Sequence, residues 1–240
     1  MYKRTYNFFL SYSRDIASDI LEKTIYELEQ VGFLLWYDKV DVVLGNNINI
    51  GLYDVLKQCE NWNGMILFID DTYLKKEWCI RELDYAIENN IKLFPILFKI
   101  TKDDIPDRYE ILKELNLCTI RRDSDIDYAL SKVIYRYLDE YSVTKKEKDY
   151  VQNNPILKQL VYEFLMKNQN CSSILFMCDN IAVCINYLIN EENELWDSNE
   201  KIIYNIVHLI VKNYYIQGTV DRFRKRIAIK AVNILISIYF

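Results

Sequence analysis

The chain has 240 residues, of which 51% are hydrophobic and 27% charged, with a formal net charge of −5. This is a globular composition, long enough for one large core or two modest ones, and it lacks the positive excess that nucleic-acid binding requires. One histidine, and six cysteines with no CxxC pair, argue against a zinc site.

The first residues, MYKRTYNFFLSYSRD, lack the apolar length of a signal peptide, so the cysteines are expected to be reduced in a cytoplasmic protein. No run reaches the roughly 18 uncharged apolar residues of a membrane span. Tyr6–Tyr12 (YNFFLSY) reads as a short apolar strand. Ser13-Arg14-Asp15 is the expected opening of a helix over Ile16–Val31, with Ser13 as N-cap, Asp15 in the first turn and Gly32 as the stop. Phe33–Tyr37 is a second strand ending at Asp38, and Lys39–Asn47 is a loop that turns at Gly45. Ile48, Leu52, Val55 and Leu56 mark a helix that stops near Cys59.

The stretch Met65–Phe98 is the most informative. Met65–Ile69 is a continuous apolar run halted by Asp70-Asp71, the pattern of a strand covered on both faces. Cys79, Leu83, Ala86, Ile87 and Asn90 form the core stripe of a helix. Leu93–Phe98 is a further strand, in which Pro95 predicts a position near a sheet edge or a local bulge. Beyond it, Pro106 stands near the start of a helical stretch, Leu117–Ile120 is a last strand and Asp125–Tyr141 a helix. Strands alternating with helices predict a flavodoxin-like, five-stranded parallel sheet in an α/β domain over residues 1–142. The polar stretch 143–155 is the expected linker, and 156–240 a small all-α domain with helices over Ile156–Lys167, Ser172–Ile189, Lys201–Ile216 and Val220–Tyr239. In the last helix Phe223, Ile227, Ala231, Ile234, Leu235 and Ile238 form one stripe, widened by Ile229, Val232 and Ile236. That width predicts either a subunit interface or a bundle that buries it internally.

The chemistry narrows by elimination. There is no GxGxxG and no GxxxxGK[ST]. His208, on an Ile/Val/Leu-rich helix, is expected to pack in the core, which removes Ser-His-Asp and Cys-His mechanisms. Hydrolysis would then depend on a carboxylate. Trp78 and Glu82, four residues apart, share one face of their helix. Glu82 reads either as a surface residue favoured by the helix dipole or as the anion of a reaction that one carboxylate can drive. Glycosidic cleavage ordinarily uses two. A leaving group that is already cationic and departs neutral needs no acid, and nicotinamide on the ribose of NAD is such a group. Arg14 reads either as a solvated residue at a helix start or as a partner for pyrophosphate.

FFLSYSRD, GFLLWYD with its downstream Gly45, and DDTYLKKEWCIRELDYA followed by FPILF resemble, in order and spacing, the sequence boxes of the TIR (Toll/interleukin-1 receptor) domain family, over about residues 5–141. The resemblance implies the same flavodoxin-like fold, and Glu82 as the catalytic glutamate of the W-x-x-x-E pattern in NAD-cleaving members. It also implies that Ser11, Tyr12, Ser13 and Arg14, with Asp38, Gly45 and Trp78, border the substrate. NAD is then a substrate, with no separate cofactor and no metal. The implied partners are further copies of the chain, through both domains, and an effector that senses a nucleotide product in defence against phage; no nucleic-acid or membrane partner is expected. A strand-three turn of Asp70-Asp71, where the family commonly has Ser, departs from the pattern, as does the absence of Pro before Gly45. The rival expectations are a scaffold that only pairs TIR domains, and another enzyme acting on N-glycosidic bonds.

Overall fold

The computed structural model describes residues 6–16, 18–37, 48–115, 117–122, 125–144, 174–191, 198–217 and 220–239. It divides into two compact units, one of Met1–Glu29 and Phe33–Lys132, the other of Gln30–Gly32 and Val133–Phe240.

In the first unit the apolar runs become strands. These are β1 (Phe8–Tyr12), β2 (Leu35–Trp36), β3 (Gly64–Ile69), β4 (Leu93–Phe98) and β5 (Cys118–Ile120). They form one parallel sheet in the order β2-β1-β3-β4-β5. The helices are α1 (Ser18–Gln30), α2 (Ile48–Cys59), α3 (Glu77–Glu88) and α4 (Glu110–Glu114), followed by α5 (Ile126–Thr144), within which the two units divide. Every residue of β1, β3 and β4 is buried, which explains the apolar runs of β3 and β4 and leaves Ser11 as a buried polar residue within β1. Alternate residues serve opposite faces. Phe9, Met65, Leu67, Ile69 and Leu97 pack with Leu56, Cys79, Leu83 and Leu112 in one core cluster. Phe8, on the other face, stacks on Phe33 with ring centroids 4.2 Å apart.

Several local expectations are corrected. Ser13 does not cap α1. It precedes the helix in a turn, where its carbonyl accepts from Ile16 N and its hydroxyl from Asp15 N. The expectation that Pro95 lies near a sheet edge holds: β4 is flanked by β3 and by the edge strand β5. Its ladder with β5 begins only at Ile96, so at Pro95 the strand has β3 alone as a neighbour and the missing N–H is tolerated there. Asn90 lies past the core stripe, at φ 54°, after the helix has ended. Ile91 N bonds Ala86 O at 2.8 Å and Asn90 N bonds Ile87 O at 3.2 Å, a Schellman closure with asparagine at the left-handed position. Replacing Asn90 by Val should therefore cost about 1–2 kcal/mol in a urea unfolding titration, because a β-branched residue resists that conformation.

The second unit is helical. Besides residues 133–144 of α5 it contains α6 (Ile174–Glu191), α7 (Ser198–Gln217) and α8 (Arg222–Tyr239), with α8 packed against both α6 and α7. Ile227, Ala231, Val232, Ile234, Leu235 and Ile238 are all buried, while Phe223, Ile229 and Ile236 are half-buried. The width of this apolar face is thus used in packing α8 against two helices, and it supplies no argument for a subunit interface. His208 is also corrected: it lies on the exposed side of α7, with Nδ1 3.8 Å from the Asp179 carboxylate. Isoleucine and valine flank it in sequence, but the helical period turns them inward and leaves His208 outside. The expected helix over Ile156–Lys167, and the expected linker from residue 145 onward, lie outside the described residues. No described helix is long and apolar enough to cross a membrane.

Candidate active site

Strand order reverses between β1 and β3, where the chain runs to β2 on one side and to β4 on the other. Ligands in open parallel sheets bind at the carboxyl ends of strands beside such a reversal. The β1–β3 register ends with Ser11 opposite Leu67 and Tyr12 opposite Phe68, so Ser11 to Ser13 and Asp70 to Tyr73 leave the sheet side by side.

Asp70 explains the turn after β3. It is buried, and its Oδ1 accepts from Tyr73 N at 2.7 Å, Thr72 Oγ1 at 2.9 Å and Thr72 N at 3.1 Å. These bonds satisfy amides at the start of the 3₁₀ turn Tyr73–Lys75. With the Thr72 hydroxyl donating to Asp70, the 2.6 Å contact between Ser13 Oγ and Thr72 Oγ1 has Ser13 as donor. The loops after β1 and β3 are therefore fastened by a directed chain from Asp15 N through Ser13 and Thr72 to Asp70. Asp71 is exposed and faces Lys75 at 3.9 Å. Asp70→Ala should lower unfolding stability by about 2 kcal/mol, with Asp70→Asn losing less, as read by denaturant titration.

The catalytic candidate stands on α3. Burial of Cys79, Leu83 and Ala86 orients that helix, leaving Trp78 and Glu82 toward the rim. The Cys79 thiol donates to the Tyr12 carbonyl at 3.6 Å, which ties α3 to β1. Glu82 is half-buried, and its Oε2 accepts a short hydrogen bond from Ser11 Oγ. Ser11 is 1% exposed, and its oxygen also lies 2.5 Å from the hydroxyl of the fully buried Tyr73. Burial, reinforced by the charge of Glu82, holds the Tyr73 phenol well above its ordinary pKa. Trp78 is 40% exposed, with the Arg81 guanidinium 5.2 Å from its ring centroid and paired with Glu77. A carboxylate braced by hydroxyls beside an accessible indole can support a cationic centre on a bound ring and pack against that ring.

Of the residues expected at the site, Ser11 meets Glu82, and Ser13 meets Thr72. Tyr12 is buried, and its backbone carbonyl holds Cys79. Arg14 is exposed on the turn after β1, and Trp78 lies one helical turn before Glu82. Asp38, Gly45 and the loop Lys39–Asn47 lie outside the described residues. The sequence reading missed Tyr73 and Thr72. They sit in a 3₁₀ turn, where neither helical nor strand periodicity marks a facing residue, and the available signal was a tyrosine directly after a strand-terminating acidic pair.

The family model described as TIR domain matches residues 8–134. A 2' cyclic ADP-D-ribose synthase, BtTIR, of Bacteroides thetaiotaomicron is 29% identical over 110 residues, covering 42% of this chain and 36% of that protein. An NAD(+) hydrolase, TcpC, of Escherichia coli O6:H1 is 26% identical over 109 residues, covering 42% of this chain and 33% of that protein. The match thus spans about a third of the length of these curated relatives. Among solved structures, the TIR domain of the Toll-related receptor TRR-2 from Hydra magnipapillata aligns with a TM-score of 0.45 at 18% identity, covering 55% of this chain and 97% of that one.

Proposed function

The chain belongs to the TIR domain family, and from that premise we propose that it cleaves the bond between nicotinamide and ribose in NAD. What carries the reading is Glu82, a half-buried carboxylate fastened to β1 through Ser11 at the strand-order reversal, with Trp78 exposed one turn away. Relatives named as a 2' cyclic ADP-D-ribose synthase and an NAD(+) hydrolase support it. In the reaction the C–N bond breaks and its electron pair neutralises the pyridinium nitrogen, so nicotinamide leaves uncharged. The ribose carbon acquires oxocarbenium character, which the Glu82 anion stabilises. Water then adds at that carbon and releases a proton to solvent, giving ADP-ribose; an internal hydroxyl adding instead gives a cyclic product. This scheme needs no cofactor.

The same proposal includes Arg14 near the pyrophosphate, conditional activity through association of TIR domains, and a role in defence against phage by NAD depletion or a nucleotide signal. It also keeps a boundary near Ser142 between the TIR and helical domains. The deciding experiment incubates the purified chain with NAD and follows nicotinamide by chromatography over a range of protein concentrations. Nicotinamide release supports the enzyme; none at any concentration favours a scaffold that only pairs TIR domains. Trp78→Ala should lower kcat/KM by about 10–100-fold, mostly through KM, while unfolding stability falls by less than about 1 kcal/mol because the ring is already partly solvated.

A further inference from the structure

We infer that Tyr73 and Ser11 form a one-way hydrogen-bond relay that positions the Glu82 carboxylate, which makes Ser11 a positioning residue and not a substrate ligand. The inference rests on the reading of Glu82 as the catalytic anion. Its direction follows from counting protons. An ionised carboxylate only accepts, so the proton in the contact between Ser11 and Glu82 belongs to Ser11. A serine hydroxyl has one proton, already given to Glu82. The contact of 2.5 Å with Tyr73 must then place the phenol proton on a Ser11 lone pair.

The relay links residues 62 and 71 positions apart and joins the turn after β3, β1 and α3 at one point. Its base is rigid, because Tyr73 is fully enclosed in the cluster that holds Phe9, Cys79 and Leu83. Ser11 is itself buried, and its hydroxyl is engaged on both sides. One carboxylate oxygen, Oε2, is thereby held from the protein interior, which fixes the orientation of the group on α3. The relay also opposes desolvation. A carboxylate drawn toward an apolar surround is pushed toward its neutral form, whereas donors on its oxygen favour the anion that the reaction needs.

The titratable groups acting on Tyr73 are Glu82, Cys79 and Tyr109. The Tyr109 phenol is pushed up to about 12 by burial and by its bond to Asp84, and the Cys79 thiol donates to the Tyr12 carbonyl. On α3 Arg81 pairs with Glu77, and in the preceding turn Asp70 is engaged by Thr72 and Tyr73. Arg14 is exposed on the turn after β1.

The test measures nicotinamide release against pH for the full chain and for Ser11→Ala, Tyr73→Phe and the double variant. Loss of a donor destabilises the anion and raises its pKa. The acid limb of kcat/KM should therefore move up by about one unit in Ser11→Ala, and by less in Tyr73→Phe. The double variant should match Ser11→Ala, because Tyr73 acts only through Ser11. In each variant kcat should fall more than KM changes. An acid limb unmoved in Ser11→Ala, or additive effects in the double variant, would overturn the relay. A readout independent of turnover is the carboxyl ¹³C titration of Glu82, assigned by its disappearance in Glu82→Gln. The same upward shift is expected in Ser11→Ala, and no shift refutes the relay. An inactive full chain would refute NAD cleavage alone, and the carboxyl titration would still decide the relay.

Discussion

Glu82→Gln is expected to reduce nicotinamide release about 10³-fold while leaving the unfolding midpoint within experimental scatter. The amide has nearly the shape of the carboxylate, and its oxygen still accepts from Ser11, so the contact between α3 and β1 survives. What disappears is a full negative charge near the developing cation. Two unit charges roughly 4 Å apart interact by about 4 kcal/mol at an effective dielectric near 20, and that difference in barrier is about a thousandfold in rate. The measurement is single-variant kinetics with NAD, paired with thermal unfolding of the same preparation. A variant that turns over at the full chain's rate would remove Glu82 from the mechanism. One that loses activity and unfolds at much lower temperature would make its role structural.

Gly64→Ala should be the most damaging single-methyl change in the sheet. Gly64 opens the central strand β3, paired with Phe8, at φ 144°, a region that side-chain-bearing residues avoid. A Cβ there would lie 2.4 Å from the Lys92 carbonyl oxygen and 2.8 Å from the Phe94 ring. Met65 N bonds that same carbonyl at 2.8 Å, so the backbone cannot move aside without breaking the start of the β3–β4 ladder. Backbone strain and overpacking together should cost about 3–4 kcal/mol. Urea unfolding checks this, and a loss below about 1 kcal/mol would show that β4 shifts freely. Because Ser11 and Asp70 depend on the far ends of β1 and β3, activity should fall along with stability.

The two variants bear on different kinds of information in the chain. Gly64 escaped notice in sequence because its demand comes from Lys92 and Phe94 on the neighbouring strand, not from residues beside it. Asn90 departs from its sequence spacing for a related reason. Its spacing continues the stripe of Cys79, Leu83 and Ala86, yet the helix stops at Glu88, and Asn90 closes it in a left-handed conformation. His208 shows the same weakness: Ile206, Val207 and Ile210 near it in sequence are buried, while the imidazole is on the exposed side of α7.

The residues by themselves determined the alternation of strands and helices, the parallel character of the sheet and the placement of Trp78 and Glu82 on one face of α3. They do so because burial on both faces leaves unbroken apolar runs, and because the helical period is a local property of the backbone. Only the tertiary structure decided what Glu82 touches. Ser11 reaches it from β1 and Tyr73 braces Ser11 from the turn after β3, contacts across 71 and 62 positions that leave no periodic trace. Likewise, Asp70 became the anchor of a turn and the broad face of α8 became packing between helices, because a side chain's partners are set by which strands and helices come to lie side by side.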